Sequence, residues 1–413
     1  MRTDISARAE AEIIQLFSPN CRLLITPCIQ AVNKTVAGQP ATPKAARTVR
    51  NRRLHYLLFC HRLNLTDNWL LENQPQTRAN FQLAMYATHL ATGSTLKCQT
   101  IQSGTIKGYL HDVAKFLGRF RAIDPRFVSA NDTKLAPVIA KVIAEQKRWE
   151  TVPNRREPFT LEMQKAIANL PSVAADACCL DAALANWTLC NLYAGCRGIE
   201  WAQTNCTHRT IHQFHKNRFG NAYAFTLNDV QCFTTASCPL TIDQSIITPS
   251  LVAKIKLRFE EQKNGDNGEW KLFTRNHSNP NLCFIANFVA ILTRHRTLTA
   301  SSLIQPLSVY RGADGAAYNI TTVDIEAVMR RAAATIYNLD PVRHKKQLSM
   351  WSSHSLRVGA CTTLYSKGFS EMEIKYLLRW KSSAFMQYLR NLAVTSRRHN
   401  AAINETSEVP NFV

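Results

Sequence analysis

The sequence predicts a mostly α-helical protein with one small β-sheet, an α+β chain of two domains. Three observations predict it. Apolar residues recur at three- and four-residue spacing through most of the 413 residues. One stretch alternates instead: in LVAKIKLRF, Ala253, Ile255, Leu257 and Phe259 face one way, and Lys254, Lys256 and Arg258 the other. Between periodic regions, TVPNRREPF (Thr151 to Phe159) carries two prolines, three charges and no periodicity, so it reads as a domain boundary.

The elements follow in order. Residues 1–42 form an N-terminal arm and linker, with Ile13, Ile14 and Phe17 as the apolar positions of a short amphipathic helix and VAGQPATPK as the linker. Residues 43–150 form a helical domain. It opens with KAARTVRNRRLHYLLFCHRL, a basic helix with one apolar side. FQLAMYATHLAT and TIKGYLHDVAKFLGRF follow, the latter lining Ile106, Leu110, Val113, Phe116 and Leu117 on one side. DPRFVSANDTKLAP breaks the pattern before a helix that runs to Trp149. Residues 151–395 form a mixed domain. TLEMQKAIANL opens it, and the apolar helix LDAALANWTLCNLYAG closes at Gly195. The alternating strand then turns at NGDNG and returns as EWKLF. From Pro280 onward the pattern is helical: Ser352 or Ser353 caps a helix ending near Gly368, Ser370 and Glu373 make a capping box, and a last helix carries AFMQYLRNL. Residues 396–413 are a polar tail.

Charge narrows the function. Fifty Lys and Arg against 29 Asp and Glu give +21, which favours a polyanionic partner, nucleic acid first. Between Glu12 and Asp67 there is no acidic residue and there are eight basic ones, so Lys44, Arg47, Arg50, Arg52 and Arg53 are expected to meet DNA phosphates. The 13 cysteines are scattered without any CxxC, which reads as small core residues in a reducing compartment. The first residues lack the order of a secretory leader, and no apolar run reaches the ~20 residues that span a bilayer, so a soluble intracellular protein is expected. A DNA partner places it in the nucleus of a eukaryote, otherwise in the cytoplasm with the nucleoid. No phosphate-binding glycine loop points to a nucleotide, and no cofactor is expected.

The residues that carry chemistry lie in the mixed domain. His354 and Arg357 are three apart on one helix, so both can face one phosphate. Arg197 follows the Gly195 turn. Two arginines can hold the non-bridging oxygens of a phosphodiester with paired hydrogen bonds. Tyr388 stands on an amphipathic stretch eight residues after Trp380. Tyr376, in a stripe with Ile374, Leu377 and Leu378, reads as a core residue. Cys206, His208, His212, His215, Cys232 and Cys238 offer zinc-ligand types without paired spacing, so the segment reads as a histidine-bearing surface and no metal is expected.

LYAGCRGIEWAQ, the hairpin EEQKNGDNGEWKLF and WSSHSLRVGACTTLYSKGFSEMEIKYLLRWKSSAFMQYLRN together resemble the catalytic domain of tyrosine recombinases, the phage-integrase family. Their wording looks most like the eukaryotic branch found in cryptons. The resemblance covers roughly Arg156 to Asn391. It implies that residues 43–150 are a helical core DNA-binding domain, that 151–395 are the catalytic domain, and that the two form a C-shaped clamp on double-stranded DNA. It implies a DNA strand transferase that cuts and rejoins DNA through a 3′-phosphotyrosine, as the integrase or transposase of a mobile element, working as a homo-tetramer on two sites. Tyr388 is then the nucleophile, Arg197, His354 and Arg357 the phosphate-site residues, and Glu200 their support. Lys263 at the hairpin turn protonates the leaving oxygen, with Lys271 the alternative. Trp380 stands where many members have a second histidine, and its indole N–H can donate but not accept. Two other readings stay open: a domesticated, non-catalytic DNA-binding protein of the same fold, and a type IB topoisomerase-like enzyme that relaxes DNA.

Overall fold

A computed structural model describes residue 30 and residues 43–65, 69–93, 100–150, 155–204, 208–217, 219–262 and 265–389. Expectations placed on the N-terminal arm, the polar tail, Cys206, Lys263 and the side chain of Lys44 lie outside the described residues. The chain divides into two compact units, Met1–Pro153 and Asn154–Val413. No helix among the described residues is long and apolar enough to cross a membrane.

The first unit is helical: α1 (Pro43–Arg62), α2 (Gln76–Ala91), α3 (Ser103–Leu117) and α4 (Pro137–Trp149). The apolar side read in α3 is its buried side, with Ile106, Leu110, Val113, Phe116 and Leu117 all packed into one core with Tyr56, Phe59, Leu83, Tyr86 and Ile139. Helix α1 departs from expectation. Rather than one apolar side, it is enclosed all round from Arg53 to Cys60. Arg53 is 1% exposed; its Nε donates to the Asp112 carbonyl at 3.1 Å and its guanidinium lies over Phe116. Arg52 pairs with Asp112 at 2.7 Å over the Tyr109 ring. A buried cation needs partners from its own chain, and here the partners are on α3. Arg53 is therefore a core residue and not a phosphate contact, and Arg52 is engaged within the fold. Arg50 is half-buried, and Arg47 is exposed.

The second unit begins with α5 (Leu161–Ala168), capped by the Thr160 hydroxyl, then α6 (Pro171–Ala175), α7 (Leu180–Ala194) and the single turn α8 (Gly198–Trp201). Gly195 ends α7 with φ +55°, and a Cβ there would fall 2.7 Å from Leu378. The sheet holds β1 (Val230–Phe233), β2 (Pro239–Leu240), β3 (Lys254–Phe259) and β4 (Glu269–Thr274), antiparallel in the order β2-β1-β3-β4, with α9 (Ile242–Ile247) between β2 and β3. The alternation read in the sequence is the pleat of β3: Ile255, Leu257 and Phe259 are buried, Lys254, Lys256 and Arg258 are not. Helix α10 (Phe284–Thr299) packs on α7. A two-stranded ribbon, β5 (Val309–Arg311) and β6 (Ala317–Asn319), interrupts the region read as helical after Pro280. Its strands are too short for a period of two to show, and Gly315 turns it at φ +79°.

Four more helices complete the described fold: α11 (Thr322–Ile336), α12 (Lys345–Leu348), α13 (Ser355–Ser366) and α14 (Glu371–Leu378). The capping box of α14 forms as read, Ser370 with Glu373. The cap read for α13 does not: His354, not Ser352 or Ser353, is the cap position, and the Ser352 N–H donates instead to the Ser355 hydroxyl at 3.0 Å. The segment before α5 lies along α13. The Phe159 N–H donates to the Ser355 carbonyl at 3.0 Å, and a Cβ on Gly359 would meet the Phe159 carbonyl oxygen at 2.0 Å, so only glycine permits the approach. In place of the last helix read around AFMQYLRNL, residues Ser383–Tyr388 form a 3₁₀ segment. Among the described cysteines all are free, and most are buried as small core residues.

Candidate active site

The residues that end α7, start α13 and follow α14 converge in the second unit. The 3₁₀ segment brings Tyr388 in. Phe385 and Leu389 are buried on either side of it, against Ala360, Cys361, Ile374 and Leu378. Tyr388 itself stays half-exposed. Arg155 donates to the Gln387 carbonyl at 2.9 Å, next to the tyrosine. The Tyr388 hydroxyl lies 2.8 Å from His354 Nε2, the two rings meeting edge-on.

Electrostatics set the direction in which a proton can move between them. Burial, and then the charges of Arg357, Arg156 and Arg197, push the His354 imidazole below its ordinary 6.5, so it is neutral at pH 7. Burial raises the Tyr388 phenol above its ordinary 10, although Arg357 opposes this, so it holds its proton at pH 7. At neutral pH both groups are thus uncharged and at hydrogen-bond distance before any reaction, and in the Nδ1–H tautomer of His354 the phenol donates to its Nε2.

Behind the pair stand three arginines around one carboxylate. Arg197 precedes α8, and Glu200 in that turn receives its backbone N–H at 2.8 Å and its Nη1 at 2.8 Å. Glu200 is 4% exposed, so it is buried inside the cluster and does not face solvent. Its Oε2 also accepts from Arg379 Nη2 at 3.1 Å. Arg357 is 2% exposed and donates to the Gly195 carbonyl and, at 2.8 Å, to the Leu378 carbonyl. Its guanidinium stacks 4.5 Å from the centre of the Trp380 ring. Burial first, then Arg197, brings the Arg357 pKa down to about 10. Even so, the Arg357 guanidinium is a cation at neutral pH. The cluster holds three positive charges against one negative, in a setting where unbalanced charge is costly. An anion placed beside Arg197, Arg357 and His354 would relieve that imbalance.

Trp380 packs edge-on to Tyr388 at 6.0 Å, and its buried Nε1 has no hydrogen-bond partner among the described residues. Lys271 is not in the cluster. It faces α14, paired with Glu269 at 2.8 Å, donating to the Tyr376 carbonyl at 3.0 Å and lying over the Tyr376 ring. Tyr376 is 70% exposed and not a core residue; α14 buries Ile374 and Leu378 and turns Tyr376 outward. His208 and His215 approach with ring centres 6.3 Å apart, but Cys232 is buried on β1 and Cys238 is exposed. No group of three metal-ligating side chains occurs among the described residues. The residue that sequence reasoning missed is Arg379. Its one signal was its place, a cation between the apolar Leu378 and Trp380 at the end of a short helix.

No family model matches the chain, and no curated protein matches it. Among solved structures it is similar to the integrase of the Tn1549 transposon in complex with transposon right end DNA. That match has 12% identity and TM-score 0.45, over 91% of this chain and 98% of that one. The same integrase with circular intermediate DNA gives 11% identity and TM-score 0.43, over 90% and 98%. XerA recombinase gives 12% and 0.31, over 91% and 97%.

Proposed function

We propose that the protein is a DNA strand transferase of the tyrosine-recombinase family, most like the crypton-type branch, that cuts and rejoins duplex DNA at specific sites. The observation that carries this reading is the 2.8 Å contact of Tyr388 with His354, set in front of the Arg197, Arg357 and Arg379 cluster. In the reaction the Tyr388 oxygen attacks the scissile phosphorus and its proton passes to His354 Nε2. The bond from phosphorus to the 5′-oxygen breaks, leaving a 3′-phosphotyrosine and a 5′-oxygen that takes a proton from Lys263. Arg197 and Arg357 neutralise the non-bridging oxygens, and the Trp380 indole donates to one of them. The covalent link conserves the phosphodiester bond, so rejoining needs no nucleotide. Arg47 and the basic side of the first unit supply phosphate contacts. The assembly is a homo-tetramer on two sites, and the enzyme serves a mobile element, in the nucleus of a eukaryotic host.

The test is covalent trapping. Nicked duplexes from a randomised pool, in which the freed segment diffuses away, are incubated with the protein without metal or ATP. A labelled adduct that survives SDS, lost in Tyr388→Phe while duplex binding is kept, is the expected result. Tight duplex binding with no adduct from the wild type on any sequence is what the non-catalytic reading predicts, and it would overturn this one.

A further inference from the structure

Arg379 stands where α14 ends, at φ +57° and ψ +51°. This left-handed conformation is open to glycine and disfavoured for a side chain with a Cβ. A glycine would make the same turn without that cost. The long side chain here is buried, with 1% of it exposed. It stacks 3.3 Å from the centre of the Phe259 ring, donates to Glu200 Oε2 at 3.1 Å and reaches the Ala194 carbonyl at 3.5 Å. Its backbone is used as well. The turn at Arg379 aims the Leu378 carbonyl at Arg357 Nη2, 2.8 Å away. The other oxygen of the Glu200 carboxylate holds Arg197 Nη1 at 2.8 Å.

We infer that Arg379 is the positioning residue of the arginine pair: its backbone turn presents the carbonyl that orients Arg357, and its guanidinium fixes the carboxylate that orients Arg197. It does not itself meet the substrate: its guanidinium is turned to Glu200, the Ala194 carbonyl and the Phe259 ring, whereas Arg357 lies against Trp380 beside Tyr388 and a quarter of the Arg197 side chain is exposed. Two separate contacts lead from one residue to the two arginines, which a helix end with an incidental ion pair would not do. The inference rests on the strand-transfer reading and adds to it a residue outside the site predicted from sequence.

The test compares Arg379→Gly and Arg379→Lys with the wild type, and repeats Arg379→Gly in an Arg197→Lys background. Each is read by duplex affinity and by the single-turnover rate of adduct formation on the nicked pool. Glycine keeps the turn and removes the guanidinium. Arg379→Gly is expected to bind duplex within about twofold of wild type yet form adduct about 30- to 100-fold more slowly, the scale of a small misplacement of catalytic groups. Lysine keeps a charge toward Glu200 without the planar fork, so it should recover part of that loss. In the Arg197→Lys background Arg379→Gly should cost only a few-fold more, because residues that act through one another are not additive. An Arg379→Gly rate within about threefold of wild type, or the full loss repeated in the Arg197→Lys background, would overturn the inference. Absence of any wild-type adduct overturns the strand-transfer reading and this role with it, and is told apart because it appears before any variant is compared. If Arg379→Gly does not melt cooperatively, the comparison of Arg379→Lys with wild type carries the same decision.

Discussion

Replacing Gly359 with alanine separates two physical effects of opposite sign. Gly359 lies inside α13, where helix propensity alone favours alanine by about 1 kcal/mol. The fold says otherwise. An added Cβ would sit 2.0 Å from the Phe159 carbonyl oxygen, 3.0 Å from its carbonyl carbon and 3.1 Å from its nitrogen. Those are backbone atoms, with no flexible end to swing away. The segment 155–159 and α13 would have to part by roughly 1.5 Å to restore ordinary contact. That opening breaks the 3.0 Å bond from the Phe159 N–H to the Ser355 carbonyl and loosens the Phe159 ring, which is fully buried. Overpacking of this kind costs about 1–3 kcal/mol and a lost backbone hydrogen bond about 1 more. Against the propensity gain, Gly359→Ala should destabilise the second unit by about 1–3 kcal/mol, a fall in Tm of about 2–12 °C. Thermal melts of the two proteins at matched concentration test this. Since Ser355 follows His354, adduct formation should slow as well. A Tm equal to or above that of wild type would refute the reasoning, because it would mean that the close approach of Phe159 to α13 is not present.

Four further outcomes follow from the site and the cores. Arg53→Ala should lower the stability of the first unit by about 2–4 kcal/mol, because it removes a buried cation from its partners. Arg47→Ala should instead leave the melt unchanged, weaken duplex binding and reduce the salt slope by about one counterion; anisotropy titrations across a salt series distinguish the two. Cleavage needs the neutral form of His354, whose pKa lies below 6.5, so the single-turnover rate should be flat above pH 7 and fall as the pH drops through that pKa. A rate that rises on acidification would contradict the proton path from Tyr388. His55 and His295 are both buried with pKa values near 4 against 6.5. The unfolded chain therefore binds more protons than the folded one between those values. The stability each contributes is present above pH 6.5 and is lost as the pH falls toward 4, by up to about 3 kcal/mol apiece. Melts at pH 7.5 and 4.5 test it, and His295→Gln should flatten the dependence in the second unit.

What the sequence made legible has a physical pattern. The β3 alternation, the stripe of α3 and the Ser370–Glu373 cap are local, set by residues a few positions apart, and each appears where it was read. The grouping of Arg197, Glu200, His354, Arg357, Trp380 and Tyr388 was legible through motif order, which stands in for distances that local pattern cannot supply. The failures were of another kind. Arg53 looked like part of a basic surface because nothing within the α1 sequence announces Asp112 and Phe116 on another helix. Tyr376 fits an apolar stripe by spacing, yet α14 has only one buried face. His354 takes the cap position, and the first turn of α13 is bonded by the Phe159 N–H from nearly 200 positions away. Arg379 was hidden because a left-handed turn ordinarily advertises itself with glycine, and here an arginine occupies it.

The most direct measurement is the identity of the residue that carries the DNA. The trapped adduct should be isolated, digested with nuclease and protease, and the nucleotide-bearing peptide sequenced by mass spectrometry. The account predicts a phosphotyrosine at Tyr388, with the nucleotide attached through its 3′-oxygen. Attachment at another tyrosine, such as the exposed Tyr376 or Tyr193, or through a 5′-oxygen, would contradict it.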